Sequence, residues 1–479
     1  RSSGTVTLAG GSITATAAAG CGGGIYSAGQ LVFQSSAGQD VSADFYLAAG
    51  HPASVSAGLA GMNVIAALTS ESEEDGAVLV CFANGIAPAA DRFVLTNSAL
   101  VLAVSGQNLI ARVSSGNAAR IGNAEYATLQ AAINASQEND VIVLLRSSVL
   151  TTIVIVRHSV TISSPDGYQL IWKPDSIYLE SGMLSIASGT LTLGTGPDEH
   201  LILDGGSDTT TSGVVAVSQN TSLVVNSGVT IRNCSVNRIS NSAIRNSGTT
   251  FIHGGLFTAN SALTGSVVYN SYIGSLTVDC GTFEQNVGPV IYVDSSGNAT
   301  VSGGIFQNNT GDLCTVLLNK GTLNVSGGTF QNNVQPLYNS YGGGCILNSG
   351  GTLNISGGTF SGNVFNAYGA VWNNLGTTNL TGGTITGNKS RASCCGFSGG
   401  GVCLISGTLN VSGAPSVSAN TANGLPNNIY LQTSQFLTLN GNLTAPLRIS
   451  HYNGNLPGTK IAETSGKTFV NLKDLIPDS

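Results

Sequence analysis

A repeat of about 26 residues runs through most of this chain, and few folds accommodate a unit that short. Gly274-Ser-Leu-Thr-Val-Asp-Cys-Gly-Thr-Phe-Glu-Gln-Asn286, Gly297-Asn-Ala-Thr-Val-Ser-Gly-Gly-Ile-Phe-Gln-Asn-Asn309 and Gly321-Thr-Leu-Asn-Val-Ser-Gly-Gly-Thr-Phe-Gln-Asn-Asn333 align position for position. Gly351–Asn363, Gly376–Asn388 and Gly407–Asn420 continue the series. The second glycine of the central pair, or its equivalent, falls at 255, 281, 304, 328, 358, 383 and 413, giving spacings of 26, 23, 24, 30, 25 and 30. Within a unit the pattern has period two. Leu323 and Val325 point one way while Thr322, Asn324 and Ser326 point the other, which reads as a strand with one buried face. The Gly-Gly pair bends the chain and Phe330 re-enters the core. A third short strand follows, as in Val290–Val293, Val316–Leu318, Ile346–Leu347, Val371–Trp372 and Val402–Ile405.

Three short strands cannot bury a core alone. Stacked at about 4.8 Å per rung, each strand pairs in parallel with its neighbours, and the apolar side chains form one continuous column. The expected fold is all-β, a right-handed parallel β-helix. Asn333 closes the second turn, with counterparts at Asn260, Asn286, Asn309, Asn363, Asn388 and Asn420. Asparagine suits a turn because it tolerates left-handed backbone angles and bonds its own turn. Stacked asparagines also form hydrogen-bonded ladders. Irregular spacing fits insertions that bulge at turns, as Gln335–Gly343 and Lys389–Ser398 would.

These motifs resemble the right-handed parallel β-helix repeats of bacterial surface proteins, including the chlamydial polymorphic membrane proteins with their GGA[ILV] and FxxN motifs. Phe257–Asn260, Phe283–Asn286, Phe306–Asn309, Phe330–Asn333 and Phe360–Asn363 match the second motif. The first is modified, as Gly22-Gly-Gly-Ile25 and Gly399-Gly-Gly-Val402. The resemblance covers roughly residues 214–431 and implies a surface or adhesive protein; no autotransporter barrel accompanies it.

Similar landmarks recur near the N-terminus. Gly10-Gly-Ser-Ile-Thr14 parallels Gly382-Gly-Thr-Ile-Thr386, and Phe45-Tyr-Leu47 parallels Ile429-Tyr-Leu431. Residues 1–118 therefore read as the C-terminal part of an upstream module, and 119–479 as a second one. The second comprises a helical cap at 125–137, opening coils at 140–213, regular coils at 214–431 and a terminal β segment at 432–479. In the cap, Leu129, Ala132 and Ile133 have helical spacing and Thr128 is a suitable N-cap. A helix there covers the open end of the core and blocks edge pairing. Tyr126-Ala-Thr-Leu-Gln-Ala-Ala-Ile133 followed by Asp140-Val-Ile-Val-Leu-Leu145 is similar to the start of modules in surface proteins of Gram-positive gut bacteria. Starting inside a repeat, the chain reads as a cut or processed piece of a longer array, and its uncapped ends suit head-to-tail self-assembly.

Composition narrows the function. Glycine is 64 of 479 residues and charged residues are 9%, against a usual share of about 25%. A net charge of −7 argues against nucleic-acid binding, and no apolar run reaches the length of a membrane span. Nine cysteines (21, 81, 234, 280, 314, 345, 394, 395 and 403) leave at least one unpaired. Most read as small buried hydrophobes, with a disulfide plausible only around Cys394, Cys395 and Cys403.

Glycoside hydrolysis needs two carboxylates facing one groove about 5–9 Å apart. Between 250 and 420 the acids are Asp279, Glu284, Asp294 and Asp312, with no partner at the matching position of a neighbouring coil. Asp198, Glu199, Asp204 and Asp208 near His200 form the best remaining acidic group, and read as a solvated turn. His51, His158, His200, His253 and His451 show no metal spacing. No catalytic residue, metal or cofactor is expected. The surface offers a polar ladder instead: Thr322/Asn324, Thr352/Asn354, Thr377/Asn379 and Thr408/Asn410. Such a row binds sugars or orders water. The expectation is a non-enzymatic extracellular adhesin or fibre subunit whose partners are itself or cell-surface glycans. The alternatives are a polysaccharide lyase or glycosidase of the pectin-lyase-like fold, and an ice-binding protein.

Overall fold

Alternating strands with one apolar face stack here as the repeat requires. The structure is a computed structural model and describes residues 4–8, 11–12, 25–33, 41–56, 65–70, 76–84, 86, 93–95, 100–113, 116–174, 182–206, 213–236, 242–262, 266–312, 314–336, 342–391, 399–444, 446–451, 460–465 and 475–478. The second glycine-rich landmark near residue 22, Asp208, Cys21, Cys394 and Cys395 lie outside them. Between residues 140 and 431 each coil contributes one strand to each of three sheets, and the strands beyond 431 extend only the first and third. The first sheet runs from Asp140–Leu144 to Ala462–Thr464, the second from Ser148–Leu150 to Ser416–Ser418, and the third from Val154–Val156 to Leu475–Pro477. The strands of these coils pair in parallel in strict register, as in Leu323 with Leu353, Phe330 with Phe360 and Leu317 with Ile346. The result is a parallel β-solenoid.

Its core is a set of columns. Leu323, Val325, Phe330 and their equivalents are fully buried. Phe257, Phe283, Phe306, Phe330 and Phe360 stack face to face, with centroids 4.5 to 4.7 Å apart. Coil spacing imposes that parallel offset stack, and each ring contributes roughly 2–3 kcal/mol of apolar burial. The glycine pair makes the bend possible. Gly304, Gly328 and Gly358 have φ of 90°, 90° and 87°. A Cβ on Gly327 would meet the carbonyl oxygen of Ser302 in the coil before.

Two features depart from the expected turn. The left-handed residue precedes each ladder asparagine: Ala259, Gln285, Asn308, Asn332 and Ala419 have φ of 54° to 56°, and Gly362 and Gly387 take that place elsewhere. The ladder asparagines themselves turn their side chains inward, where a bonding partner matters more than backbone tolerance. Lys389–Ser390, expected within a bulge, forms a strand in a fourth small ladder between Val364–Phe365 and Thr421–Ala422. The rest of that expected insertion, from 392 to 398, lies outside the described residues, as do 337–341.

From Val215–Val217 to Ile429–Leu431 the third sheet is buried on both faces, Arg245 and the last residues of two strands apart. Its outward residues Tyr269, Tyr292, Leu318, Leu347 and Trp372 join Cys314 in a separate apolar cluster, with Tyr368 stacked on Trp372 at 4.0 Å. These strands read as short apolar runs because no face meets water.

A helix at Leu129–Ala135 buries Leu129, Ala132 and Ile133. Thr128 Oγ1 caps it by accepting from the Ala131 amide at 3.1 Å. It is shorter than the expected 125–137, because Ala124–Tyr126 pairs antiparallel with Ala119–Ile121. Gln130 donates to the Ile155 carbonyl at 3.1 Å and accepts from its amide at 2.7 Å. That side chain satisfies the backbone of the first strand of the third sheet, which pairs with another strand on one edge only. The described strands from Val6–Leu8 to Phe93–Leu95 form two further parallel stacks, one of them continued by the hairpin Leu100–Ser105 and Asn108–Val113. Leu100, Leu102, Leu109 and Ala111 of that hairpin face the upstream core, while Ala103 and Ile110 join the larger one.

Cys234, Cys314, Cys345 and Cys403 are buried free thiols, and Cys280 is exposed. Burial pushes the Cys314 thiol up to about 12, which leaves it neutral and unreactive.

Candidate functional site

The first sheet carries the predicted polar ladder because its inward positions are taken by Leu, Val and Ile. Thr322, Thr352, Thr377 and Thr408 stand in register, as do Asn324, Asn354, Asn379 and Asn410. The asparagine row forms a chain. Asn354 Nδ2 donates to Asn324 Oδ1, Asn379 to Asn354 and Asn410 to Asn379, each at 2.7 Å. Each amide in the middle of that chain spends its oxygen and one N–H on neighbours, keeping a second N–H. Ser326, Ser356 and Thr381 form a third, exposed row. Between 298 and 412 the outward residues of this face are uncharged and rich in hydroxyl groups.

The turn asparagines have a different setting. Asn260, Asn286, Asn309, Asn333, Asn363, Asn388 and Asn420 are all buried. Asn309 shows the pattern: its Nδ2 donates to Asn333 Oδ1 and to the Phe283 carbonyl, both at 2.9 Å. Its Oδ1 accepts from the Asn286 amide nitrogen and Nδ2, at 3.0 and 2.9 Å. These side chains bond neighbouring coils, and their polar capacity is spent inside the fold. The chain continues through Asn428 to the Asp478 carboxylate, which accepts from Asn428 N and Nδ2 at 2.7 Å each. Sequence reading missed these last two because they leave the repeat. It also missed a second buried set, Asn246, Asn270, Asn319, Asn348 and Asn373, at the end of the third sheet. One asparagine per unit after an apolar run was the available signal.

The acidic group splits. Glu199 is buried and accepts from Ser163 Oγ, the Ser164 amide and the Thr195 amide. It is a turn organiser and not a solvated residue. Asp204 is also buried, bonded to Arg232 Nε at 2.7 Å and Asn233 Nδ2 at 2.9 Å. Asp279 meets His253 of the coil before it, with Nδ1 2.7 Å away on the exposed surface, which is not the second carboxylate that hydrolysis needs. Glu284 accepts from Gln307 at 2.8 Å, and Asp294 from the Tyr269 hydroxyl at 2.6 Å. That bond and burial hold the Tyr269 phenol well above its usual range, with burial the larger cause. Among the described residues, no three His, Cys, Asp or Glu side chains converge as a metal site. No helix among them is long and apolar enough to cross a membrane. No known protein family, curated protein or solved structure matches the chain.

Proposed function

We propose that this β-solenoid is a non-enzymatic, extracellular structural and adhesive protein, whose first-sheet face contacts the neutral hydroxyl surface of glycans. One observation carries this reading. Coils between 298 and 412 present the same three in-register rows of hydroxyls and amides, on a face without charge. Flat neutral rows match extended sugar chains, whereas hydrolysis needs paired carboxylates across a groove. Resemblance of the FxxN repeats to adhesin-like surface proteins supports the same conclusion.

The test is incubation of the pure protein with a panel of soluble and insoluble polysaccharides. Retention on a neutral glycan without release of reducing ends or unsaturated uronates is expected, with retention lost in T352V/T377V. Any bond cleavage would overturn the reading in favour of a pectin-lyase-like enzyme. Electron micrographs of the same sample separate isolated rods from filaments, and filaments would add self-association to the structural role.

A further inference from the structure

Charge is distributed unevenly along this chain. No aspartate or glutamate occurs between Asp312 and Glu463, yet Lys320, Lys389, Arg391, Arg448 and Lys460 all lie in that interval. In a protein of net charge −7 this is a reversal of sign along the sequence, although the Asp478 carboxylate, which accepts from Asn428 and Ser450, borders the smaller of two clefts in this region. Three of the five cations line two adjoining clefts on one side of the solenoid. The larger, of about 640 Å³, is walled by Val364, Lys389, Arg391, Thr421 and Asn423. The smaller, of about 260 Å³, is walled by Thr421, Pro426, Asn428 and Arg448. Thr421 is common to both.

The strand geometry builds the larger cleft. Lys389 and Arg391 are two apart, so both side chains leave the same face, about 6.6 Å apart along the strand. Ser390 between them is buried, its hydroxyl donating to the Ala367 carbonyl at 2.6 Å. The adjacent strand, paired in parallel with Lys389–Ser390, belongs to a tight hairpin. Thr421 and Ala422 pair antiparallel with Leu425 and Pro426 across Asn423 and Gly424, whose φ values are 51° and 79°. Two left-handed residues in sequence make a type I′ turn, which holds the hairpin rigid beside the cations. The charged contacts among the described residues are Arg232–Asp204 and Lys460–Glu463, beside the His253–Asp279 hydrogen bond. None involves Lys389, Arg391 or Arg448. Arg391 spends one N–H on the Gln335 carbonyl at 3.3 Å, and the rest of its guanidinium fork remains for an oxyanion.

We propose that this cleft binds the acidic groups of a polyanionic glycan, carboxylates of uronic acids or sulfate esters. Both present an oxyanion that fits an arginine fork, and Thr421 and Asn423 supply hydroxyl and amide partners for the sugar ring. A nucleic acid fits less well, since among the described residues no aromatic side chain lines either cleft for base stacking. The site is separate from the first-sheet face and does not depend on that face binding neutral sugar.

Titration calorimetry on the full chain, at low and moderate salt, tests the proposal. The probes are an oligogalacturonate, a sulfated dextran oligosaccharide, a neutral malto-oligosaccharide, inorganic sulfate and a single-stranded oligonucleotide. At least one of the two acidic sugars is expected to bind, more weakly as salt rises. K389Q/R391Q is expected to weaken it roughly tenfold or more, and R448Q by less. K320Q and T352V/T377V are expected to leave it unchanged, because those residues lie elsewhere. Equal affinity in K389Q/R391Q with its melting temperature preserved would overturn the site, as would an equal loss in K320Q. Inorganic sulfate or the oligonucleotide binding as tightly as the acidic sugars would overturn the glycan assignment. Failure of T352V/T377V to lose neutral-glycan retention bears on the first-sheet reading alone.

Discussion

Two columns of buried asparagine run along this solenoid, and one of them is interrupted by a single residue. In the turn ladder every coil from 260 to 420 supplies an asparagine, and the chain of bonds is unbroken. Its first oxygen accepts from the Cys234 amide and its last amide donates to Asp478. The third-sheet ladder runs from Asn246 to Asn270 at 2.7 Å, then stops. It resumes from Asn319 to Asn348 to Asn373, at 2.8 Å each. Between them the register places Val293. Asn319 Oδ1 is therefore buried without a donor. A buried amide is inexpensive only when both neighbouring coils complete it, so a ladder's value lies in continuity and not in asparagine count.

The largest effect is expected from cutting the continuous ladder. Asn333→Leu strands the Asn309 amide N and Nδ2 and removes one donor from Asn363 Oδ1. At about 1–3 kcal/mol for each unsatisfied group, the loss should be about 5 kcal/mol. The midpoint of denaturant unfolding would show it, and an unchanged midpoint would mean that the ladder adds nothing. Phe330→Ala probes the neighbouring apolar column while keeping the carbonyl that Asn363 uses. The rings above and below cannot collapse into the hole, so a loss of about 4 kcal/mol is expected. A shift close to zero would show that the phenylalanine stack is not what holds the coils together.

Asp478→Ala removes only the terminal acceptor, leaving the half-buried bonds of Asn428 to be taken over by water. A loss of about 2 kcal/mol is expected by the same measurement. The smallest effect is the most telling. Val293→Asn places an amide where Asn270 can donate to it and where it can donate to Asn319. Burying an unpartnered amide costs several kcal/mol, roughly 3 or more. Here stability within about 1 kcal/mol of the parent is expected, and a loss of the full amount would refute the register argument.

Most of the solenoid was legible because its signal repeats. Period-two alternation in Thr322–Val325, the Gly327–Gly328 bend and the return at Phe330 occur often enough to fix strand, turn and core face together. The helix was legible from Leu129, Ala132, Ile133 and the Thr128 cap. Illegible features arise where one residue meets a neighbour that varies. The third-sheet strands look like ordinary apolar runs, and nothing local says that Tyr292 faces outward into a second apolar cluster while Ile291 and Val293 face inward. Lys389 and Arg391 looked like part of a bulge because two-residue strands carry no periodicity. The role of Glu199 depends on Ser163 and Ser164, one coil away.

The sequence by itself determined the repeat, the three-strand coil, the phenylalanine and asparagine columns and the uncharged outer rows, since each follows from side-chain alternation and backbone pairing. Tertiary structure alone decided which amides are satisfied, which aromatic residues join the outer apolar cluster and which cations converge on a cleft. Those depend on the spatial register of residues 23 to 33 positions apart, set by loops of unequal length.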